Sequence, residues 1–310
     1  MSNSKERAIV VSALKHAAPY IRLFKKKVFV LKAGGEVFAD IDTTRKLMEQ
    51  VGILHQVGIR VVLVHGGGPQ STELAAALGV DSTFVDGRRV TDAAALNVSA
   101  MVLNGQINTR ILAACRDLDI PAVGISGVDA GLVRAHRRPP VETNDGEVDY
   151  GFVGDIDSVD ADILRKQLDN GLMPVVSPLS ADASGELLNI NADTVAAAIA
   201  AELDAEKLIL ATGAAGILED IDDPRSLVSY IDRKGLDAMK ASGKLADGML
   251  PKAAAIDAAL AHGVQRVHII SHKLEDSLLL EVFTNEGTGT LVVNNIDALT
   301  PAEQSTGQGA

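Results

Sequence analysis

The stretch VVLVHGGGPQ (residues 61–70) joins four aliphatic residues to a histidine, three consecutive glycines and a proline. A short aliphatic run of this kind reads as a buried strand. Proline is favoured in the first turn of a helix, where its missing N–H costs nothing. The glycines between need a reason, because glycine loses more backbone entropy on folding than any other residue. A strand, a glycine loop and a helix N-terminus in succession let backbone N–H groups approach an anion, most often phosphate. A tight turn that holds no ligand accounts for the same residues.

Outward from this stretch the pattern repeats. VFVL (28–31) runs into LKAGGE (31–36), then into Leu47, Val51 and Leu54 at helical spacing, ending at Gly58. AVGIS (122–126), MPVVSPL (173–179), KLILA (207–211) and VHIIS (267–271) are further short strands. Most are separated by roughly 10–25 residues of helical periodicity. The alternation predicts an α/β fold built from βαβ units, with a mainly parallel sheet and helices on both faces. In such sheets ligands bind beyond the carboxyl ends of the strands, which is where both glycine loops fall. Residues 131–157 break the rhythm: Pro-Pro, Asn-Asp-Gly and alternating apolar residues predict β-hairpins forming a lid or rim. ADASGELLNIN (181–191) reads as another hairpin, and the polar tail 294–310 as disordered. There is no internal repeat.

The chain has 310 residues, 47% hydrophobic and 23% charged, and a net charge of −12. That acidity excludes a general binder of nucleic acid or anionic membrane. Aromatics make up 3% with no tryptophan, against a base-stacking platform. The one cysteine, Cys115, lies on an apolar helix face and reads as a buried thiol rather than a nucleophile. A lone cysteine, no secretory leader and no long apolar run point to a cytoplasmic protein without a membrane span.

Residues 1–27 stand apart. Val10, Leu14, Ala17, Ile21 and Phe24 are spaced 4, 3, 4 and 3, so they share one helix face. Pro19 falls inside the pattern and predicts a kink or a break. The face packs on the chain's own core or docks on another subunit; the pattern alone allows both.

Neither GxxxxGK[ST] nor GxGxxG occurs, so this is not a standard phosphate fingerprint. The charged residues near the loops are Lys32 at the end of the first strand, Arg89 in DGRRVTD, the NINAD segment (189–193) and Lys252 in DGMLPK. Taken singly, each is better read as a surface charge or a helix cap. As a set they suit one chemistry, phosphorylation of a carboxylate. A carboxylate is already ionised at neutral pH and needs no general base. The difficulty is the meeting of two anions, which two lysines, glycine-loop N–H groups and Mg²⁺ would compensate. An aspartate between the lysines would orient them, and an arginine with an asparagine would grip the acceptor's second carboxylate.

LKAGGE, VHGGGPQ, DGRRVTD, NINAD and DGMLPK, in this order over roughly residues 8–293, resemble the N-acetylglutamate kinases of the amino-acid kinase family. The resemblance implies an αβα sandwich: an acetylglutamate lobe at about 28–195 and an ATP lobe at about 196–293. It implies that ATP and Mg²⁺ are used to phosphorylate the side-chain carboxylate of N-acetyl-L-glutamate in arginine biosynthesis. By motif match, Lys32 and Lys252 would stabilise the transferring group and Asp193 would organise them. Gly34, Gly35 and Gly67 would donate to phosphates. Gly67, Gly68, Arg89 and Asn189 would hold acetylglutamate. The ATP base would lie near ATGAAGIL (211–218), with Thr212 among the nucleotide contacts; no protein ligand to the metal is assigned. The arginine-inhibited members carry a kinked N-terminal helix that joins dimers into hexamers, so the resemblance implies a homo-oligomer, a dimer or a trimer of dimers. Lys207, His268, Glu281 and Gly287 would then contact L-arginine as inhibitor.

Ala33 stands where the kinases usually have a bulky residue, and Ser271-His272-Lys273 where they often read Asp-Gly-Arg. These features are similar to the kinase-like domain of N-acetylglutamate synthase, whose acetyltransferase domain this chain is too short to include. A non-catalytic arginine-sensing module for an acetyltransferase partner is therefore the competing expectation. A sibling kinase acting on N-acetylaminoadipate is another, since Arg89 and Asn189 would read a carboxylate common to both substrates.

Overall fold

A computed structural model of the chain describes residues 2–85, 88–143, 146–220, 222–223, 225–245, 247–285 and 287–298. Eight strands form the central sheet: β1 (Val28–Ala33), β2 (Arg60–His65), β3 (Ala122–Ser126), β4 (Met173–Ser177), β5 (Lys207–Thr212), β6 (Tyr230–Asp232), β7 (Arg266–Ser271) and β8 (Thr290–Val293). Their spatial order is β6-β8-β7-β5-β1-β2-β4-β3. The six from β7 to β3 run parallel; β8 is antiparallel to β7, and β6 follows β8. The mainly parallel sheet expected from the sequence is present, with an antiparallel edge that the sequence reading omitted.

Alternate strand residues feed two cores. Val30, Val62, Val64, Leu208 and Leu210 pack on one face, with residues of α6 (Asp162–Asp169), α7 (Ala192–Glu202), α8 (Arg233–Ala241) and α9 (Leu250–Ala261). Phe29, Leu31, Leu63, Val175 and Ile209 pack on the other, with α2 (Ile41–Gln56) and α5 (Asn108–Asp117). This is the αβα sandwich. Near-continuous aliphatic strands are what a sheet covered on both faces requires. The α2 helix starts where Asp40 accepts from Thr43 N at 2.8 Å and stops before Gly58, whose φ of +89° suits glycine.

A second sheet of four strands pairs Leu187–Asn189, Leu179–Ala181, Val133–Arg137 and Gly154–Val159. Further hairpins pair Thr83–Val85 with Arg88–Val90 and Val141–Thr143 with Gly146–Val148. The Asn144-Asp145 turn lies outside the described residues. The helix α3 (Gly68–Ala77) begins in the glycine loop, with Pro69 in its first turn. The helix α4 (Ala93–Ala100) continues through a π-helical segment, Met101–Ile107, into α5.

The helix α1 (Ser2–Phe24) runs through Pro19 without a break, so only the kink half of that expectation can apply. Its carboxyl end anchors through Phe24, while Ile9, Val10, Val11 and Leu14 are exposed. Residues Ile296–Ala298 form a short 3-10 turn, and the rest of the tail lies outside the described residues. Among the described residues no helix is long and apolar enough to cross a membrane.

Candidate active site

The chain enters the sheet at its middle. β1 is flanked by β2 on one side and β5 on the other: the first half of the chain builds the sheet one way from β1 and the second half the other way. That switch point opens a crevice at the carboxyl ends. LKAGG leaves β1 and HGGG leaves β2 on its two sides, and Gly66 N donates to Ala33 O at 2.8 Å to tie the loops together.

Strand alternation puts Lys32 on the same face as Val30, the face covered by α7. The first turn of α7 brings Asp193 to meet it. Asn191 caps that helix, its Oδ1 accepting from Asp193 N at 2.8 Å and Thr194 N at 3.2 Å. α9 packs beside α7 and supplies Lys252 from its own first turns, next to Pro251. Asp193 Oδ1 lies 2.9 Å from Lys32 Nζ, and Oδ2 accepts from Lys252 Nζ at 3.1 Å. The Lys32 contact is a close ion pair rather than an aligned hydrogen bond, since Oδ1 otherwise lacks a partner. Burial pushes the Asp193 carboxyl up, but the charges of Lys32 and then Lys252 outweigh it and hold the pKa below the usual range. One buried carboxylate thus aligns two cations and leaves the trio with an excess positive charge. Burying such a set costs desolvation that an arriving anion would offset.

The glycines answer the question their cluster posed. A Cβ on Gly67 would lie 2.7 Å from Ile107 Cδ1 and Leu103 Cδ2, side chains of the π-helical segment. One on Gly35 would lie 2.5 Å from Gln70 Oε1 and 2.9 Å from Gly67 Cα. The two loops close on each other so tightly that only glycine fits. A Cβ on Gly68 would meet nothing within 4 Å, so open space lies beside the start of α3. Gln70 buttresses the first loop, its Nε2 donating to Gly35 O at 2.6 Å.

A buried pair that the sequence reading missed supports the second loop. His65 Nδ1 faces Gly66 O at 3.2 Å, and Asn108 Nδ2 lies 3.3 Å from His65 Nε2 and 3.0 Å from Val175 O. These contacts fit one tautomer, with the proton on Nδ1 and Nε2 accepting. Burial pushes the His65 pKa down to about 4, so the ring is neutral at pH 7.

Arg89 reaches the site from the Thr83–Val85/Arg88–Val90 hairpin. Its Nη1 donates to Ser82 Oγ at 2.7 Å, its Nη2 to Thr72 Oγ1 at 2.6 Å and to Gly68 O at 3.2 Å. Its Cζ sits 4.7 Å from the Phe84 ring centroid. Among the described residues no carboxylate pairs with it. Burial alone shifts its pKa, downward. Asn189 ends the strand that leads to α7, its Nδ2 only 3.5 Å from Thr91 Oγ1.

Lys32, Gly34, Gly35, Gly67, Gly68, Arg89, Asn189, Asp193 and Lys252 line one cavity of about 810 Å³. Thr212 stands apart from it. Its hydroxyl donates to Ala214 O at 3.0 Å and accepts from Ala214 N at 3.1 Å, so it is spent within its own loop. Glu36 also lines the cavity, and its carboxylate lies over Gly34, where it would collide with a Cβ.

A second cavity of about 410 Å³ gathers Lys207, His268, Glu281 and Gly287 with Tyr20 and Phe24 of α1. Lys207 Nζ donates to His268 Nε2 at 2.8 Å, and His268 Nδ1 donates to Glu281 Oε1 at 2.5 Å. Burial, then the charge of Lys207, pushes His268 to about 4. Burial pushes Glu281 up, but the His268 hydrogen bond and neighbouring charges outweigh it and hold it at about 2. Cys115 is buried, and burial raises its thiol to about 12, so it is inert.

Comparison with known proteins agrees with this geometry. The model of the amino acid kinase family matches residues 27–271. The acetylglutamate kinase of Myxococcus xanthus is 46% identical over 288 residues, covering 91% of this chain and 94% of that protein. Among solved structures, N-acetylglutamate synthase from Neisseria gonorrhoeae complexed with coenzyme A and N-acetyl-glutamate superimposes with a TM-score of 0.80 at 31% identity. It covers 92% of this chain, which spans only 63% of that protein. The same synthase complexed with coenzyme A and L-arginine gives 0.79 at 30% identity, over 92% of this chain and 65% of that one.

Proposed function

The chain belongs to the amino acid kinase family, and we propose that within it the protein is an acetylglutamate kinase. It transfers the γ-phosphoryl group of ATP to the side-chain carboxylate of N-acetyl-L-glutamate, giving N-acetylglutamyl 5-phosphate for arginine biosynthesis. The observation that carries the reading is Asp193 held between Lys32 and Lys252, facing two glycine loops. A carboxylate oxygen of the acceptor bonds to the γ-phosphorus, the bond to the bridging oxygen of ADP breaks, and no proton moves. Lys32 and Lys252 meet the charge that spreads over the transferring oxygens. Gly34, Gly35 and Gly67 offer N–H groups where side chains would block approach. Arg89, with Asn189, takes the α-carboxylate.

Mg²⁺ fits this donor set as an ion carried in by the nucleotide. Both oxygens of Asp193 face lysines, so it is not a free ligand. Glu36, exposed over Gly34, is the carboxylate that would share the ion with phosphate oxygens and water. When bound, the ion neutralises phosphate charge.

The second cavity fits L-arginine as a regulatory ligand, with Glu281 for a cationic group and Lys207 for an anionic one. The exposed apolar face of α1 fits docking between subunits of a homo-oligomer, a dimer or a trimer of dimers. The regions of about 28–195 and 196–293 act as acceptor and nucleotide lobes, in a cytoplasmic enzyme.

The test is ADP release with Mg-ATP and N-acetyl-L-glutamate, alongside N-acetylaminoadipate, glutamate and aspartate. Turnover selective for acetylglutamate is expected. Turnover selective for acetylaminoadipate moves the protein to the sibling activity. No turnover at all, together with arginine binding, makes it a sensing module.

A further inference from the structure

Arg89 is a cation on a three-residue strand of a small hairpin, a poor platform for a substrate contact that must be placed to within a fraction of an ångström. What fixes it is a hydroxyl from another element. Thr72 sits one turn into α3, and its Oγ1 accepts from Arg89 Nη2 at 2.6 Å. Arginine only donates, so the Thr72 proton is left for another acceptor. It goes to Gly68 O at 3.0 Å, one turn back along α3. The same carbonyl takes a longer bond from Arg89 Nη2, at 3.2 Å. Guanidinium, hydroxyl and the carbonyl of the first residue of α3 thus form a closed triangle. α3 begins in the 66–68 loop, whose N–H groups serve the transferring phosphoryl group under the function proposed above.

We propose that Thr72 is a positioning residue that locks the carboxylate-binding Arg89 to the glycine loop, so that the two ends of the acceptor are held in one frame. The proposal rests on the acetylglutamate kinase reading. The Phe84 ring under Arg89 and the Ser82 bond hold the guanidinium from the hairpin side. Thr72 supplies the link to α3 through a side-chain hydroxyl. The acceptor meets Arg89 before and during transfer alike, so loosening it weakens acceptor binding more than it slows turnover.

The experiment compares wild type, Thr72→Val and Thr72→Ser in steady-state kinetics with both substrates varied. Thr72→Val keeps the shape and removes the hydroxyl at an exposed position, and a thermal melt checks that it folds. Its KM for acetylglutamate is expected to rise about fivefold or more, as loss of a hydrogen bond to a charged group implies. Its kcat and its KM for ATP should stay within about twofold by the same argument. Thr72→Ser should restore the wild-type KM. An acetylglutamate KM unchanged in Thr72→Val overturns the proposal. So does a Thr72→Ser variant as impaired as Thr72→Val, because the hydroxyl it keeps would then not hold Arg89 in place. Wild-type turnover tests the parent reading separately. Where it is absent, calorimetric titration of acetylglutamate into the same three proteins decides on the same criteria.

Discussion

At the scale of single residues, the site divides one anion between two cations. Asp193 is spent on Lys32 and Lys252, so removing either lysine leaves the other fully neutralised and the transition-state charge undermet. Lys252→Ala should lower kcat by about a hundredfold or more while the acetylglutamate KM moves only a few-fold, because its contact strengthens in the transition state. Normal turnover with a raised KM would remove Lys252 from that role. These residues were legible only as a set, through five motifs in order along the chain; singly, each reads as a surface charge or a cap. His65 and Asn108 were not, being 43 positions apart on elements whose contact only the fold creates. Their pairing has a pH consequence. A histidine in the unfolded chain titrates near 6.5, whereas burial holds His65 at about 4. Above pH 6.5 both states are neutral and the stabilisation is complete. As pH falls from 6.5 towards 4, the unfolded chain takes a proton that the native ring refuses, and stability drops by up to about 3 kcal/mol. His268 adds in the same direction. Urea unfolding at pH 7.5 and 5 should show the loss, and His65→Gln should flatten part of it. An unchanged slope in that variant would locate the pH dependence elsewhere.

At the scale of elements, the sequence marked what has a period and missed what does not. All six parallel strands were readable as aliphatic runs between helical patterns. The antiparallel edge strands β6 and β8 are three and four residues long, too short to show alternation. The Thr83–Val85/Arg88–Val90 hairpin is equally short, and the π-helical segment Met101–Ile107 leaves no mark on a 3.6-residue period. Yet these last two shape the site, one carrying Arg89 and the other forcing glycine at position 67. The α1 helix shows the opposite case, a clear period whose partner, under the proposed oligomer, would be another subunit. Ile9, Val10 and Leu14 are 58–66% exposed, and only the end near Phe24 packs on the body. Deleting residues 2–16 should therefore leave the melting temperature of the body nearly unchanged while lowering the assembly mass. Light scattering at matched concentration checks this. A truncated protein of the same assembly mass would show that α1 does not hold subunits together.

At the scale of the whole molecule, the two cavities lie at opposite ends of the central strands. Lys207 opens β5 at the second cavity, and Leu210 of the same strand pairs in register with Lys32 at the first. At about 3.3 Å per residue, the three steps from Lys207 to the level of Lys32 span about 10 Å along the strand. Arginine bound in the second cavity, as proposed, would not overlap with acetylglutamate in the first, and inhibition would have to travel through the fold. The elements placed to carry it are β5, β7 and α10 (Ser277–Phe283), which supply Lys207, His268 and Glu281, and α1, whose Tyr20 hydroxyl donates to Asn285 at the cavity's edge. Such coupling is bounded: each ligand changes the other's affinity by one fixed factor, however much is added. Calorimetric titration of arginine at rising acetylglutamate should show a Kd that climbs to a plateau, with both ligands bound at saturation. A Kd rising in proportion to acetylglutamate without limit would mean one shared site, and would sink the second cavity as the arginine site. No arginine binding at millimolar concentration would remove the ligand altogether and leave the Lys207–His268–Glu281 chain as a purely structural bridge between β5, β7 and α10.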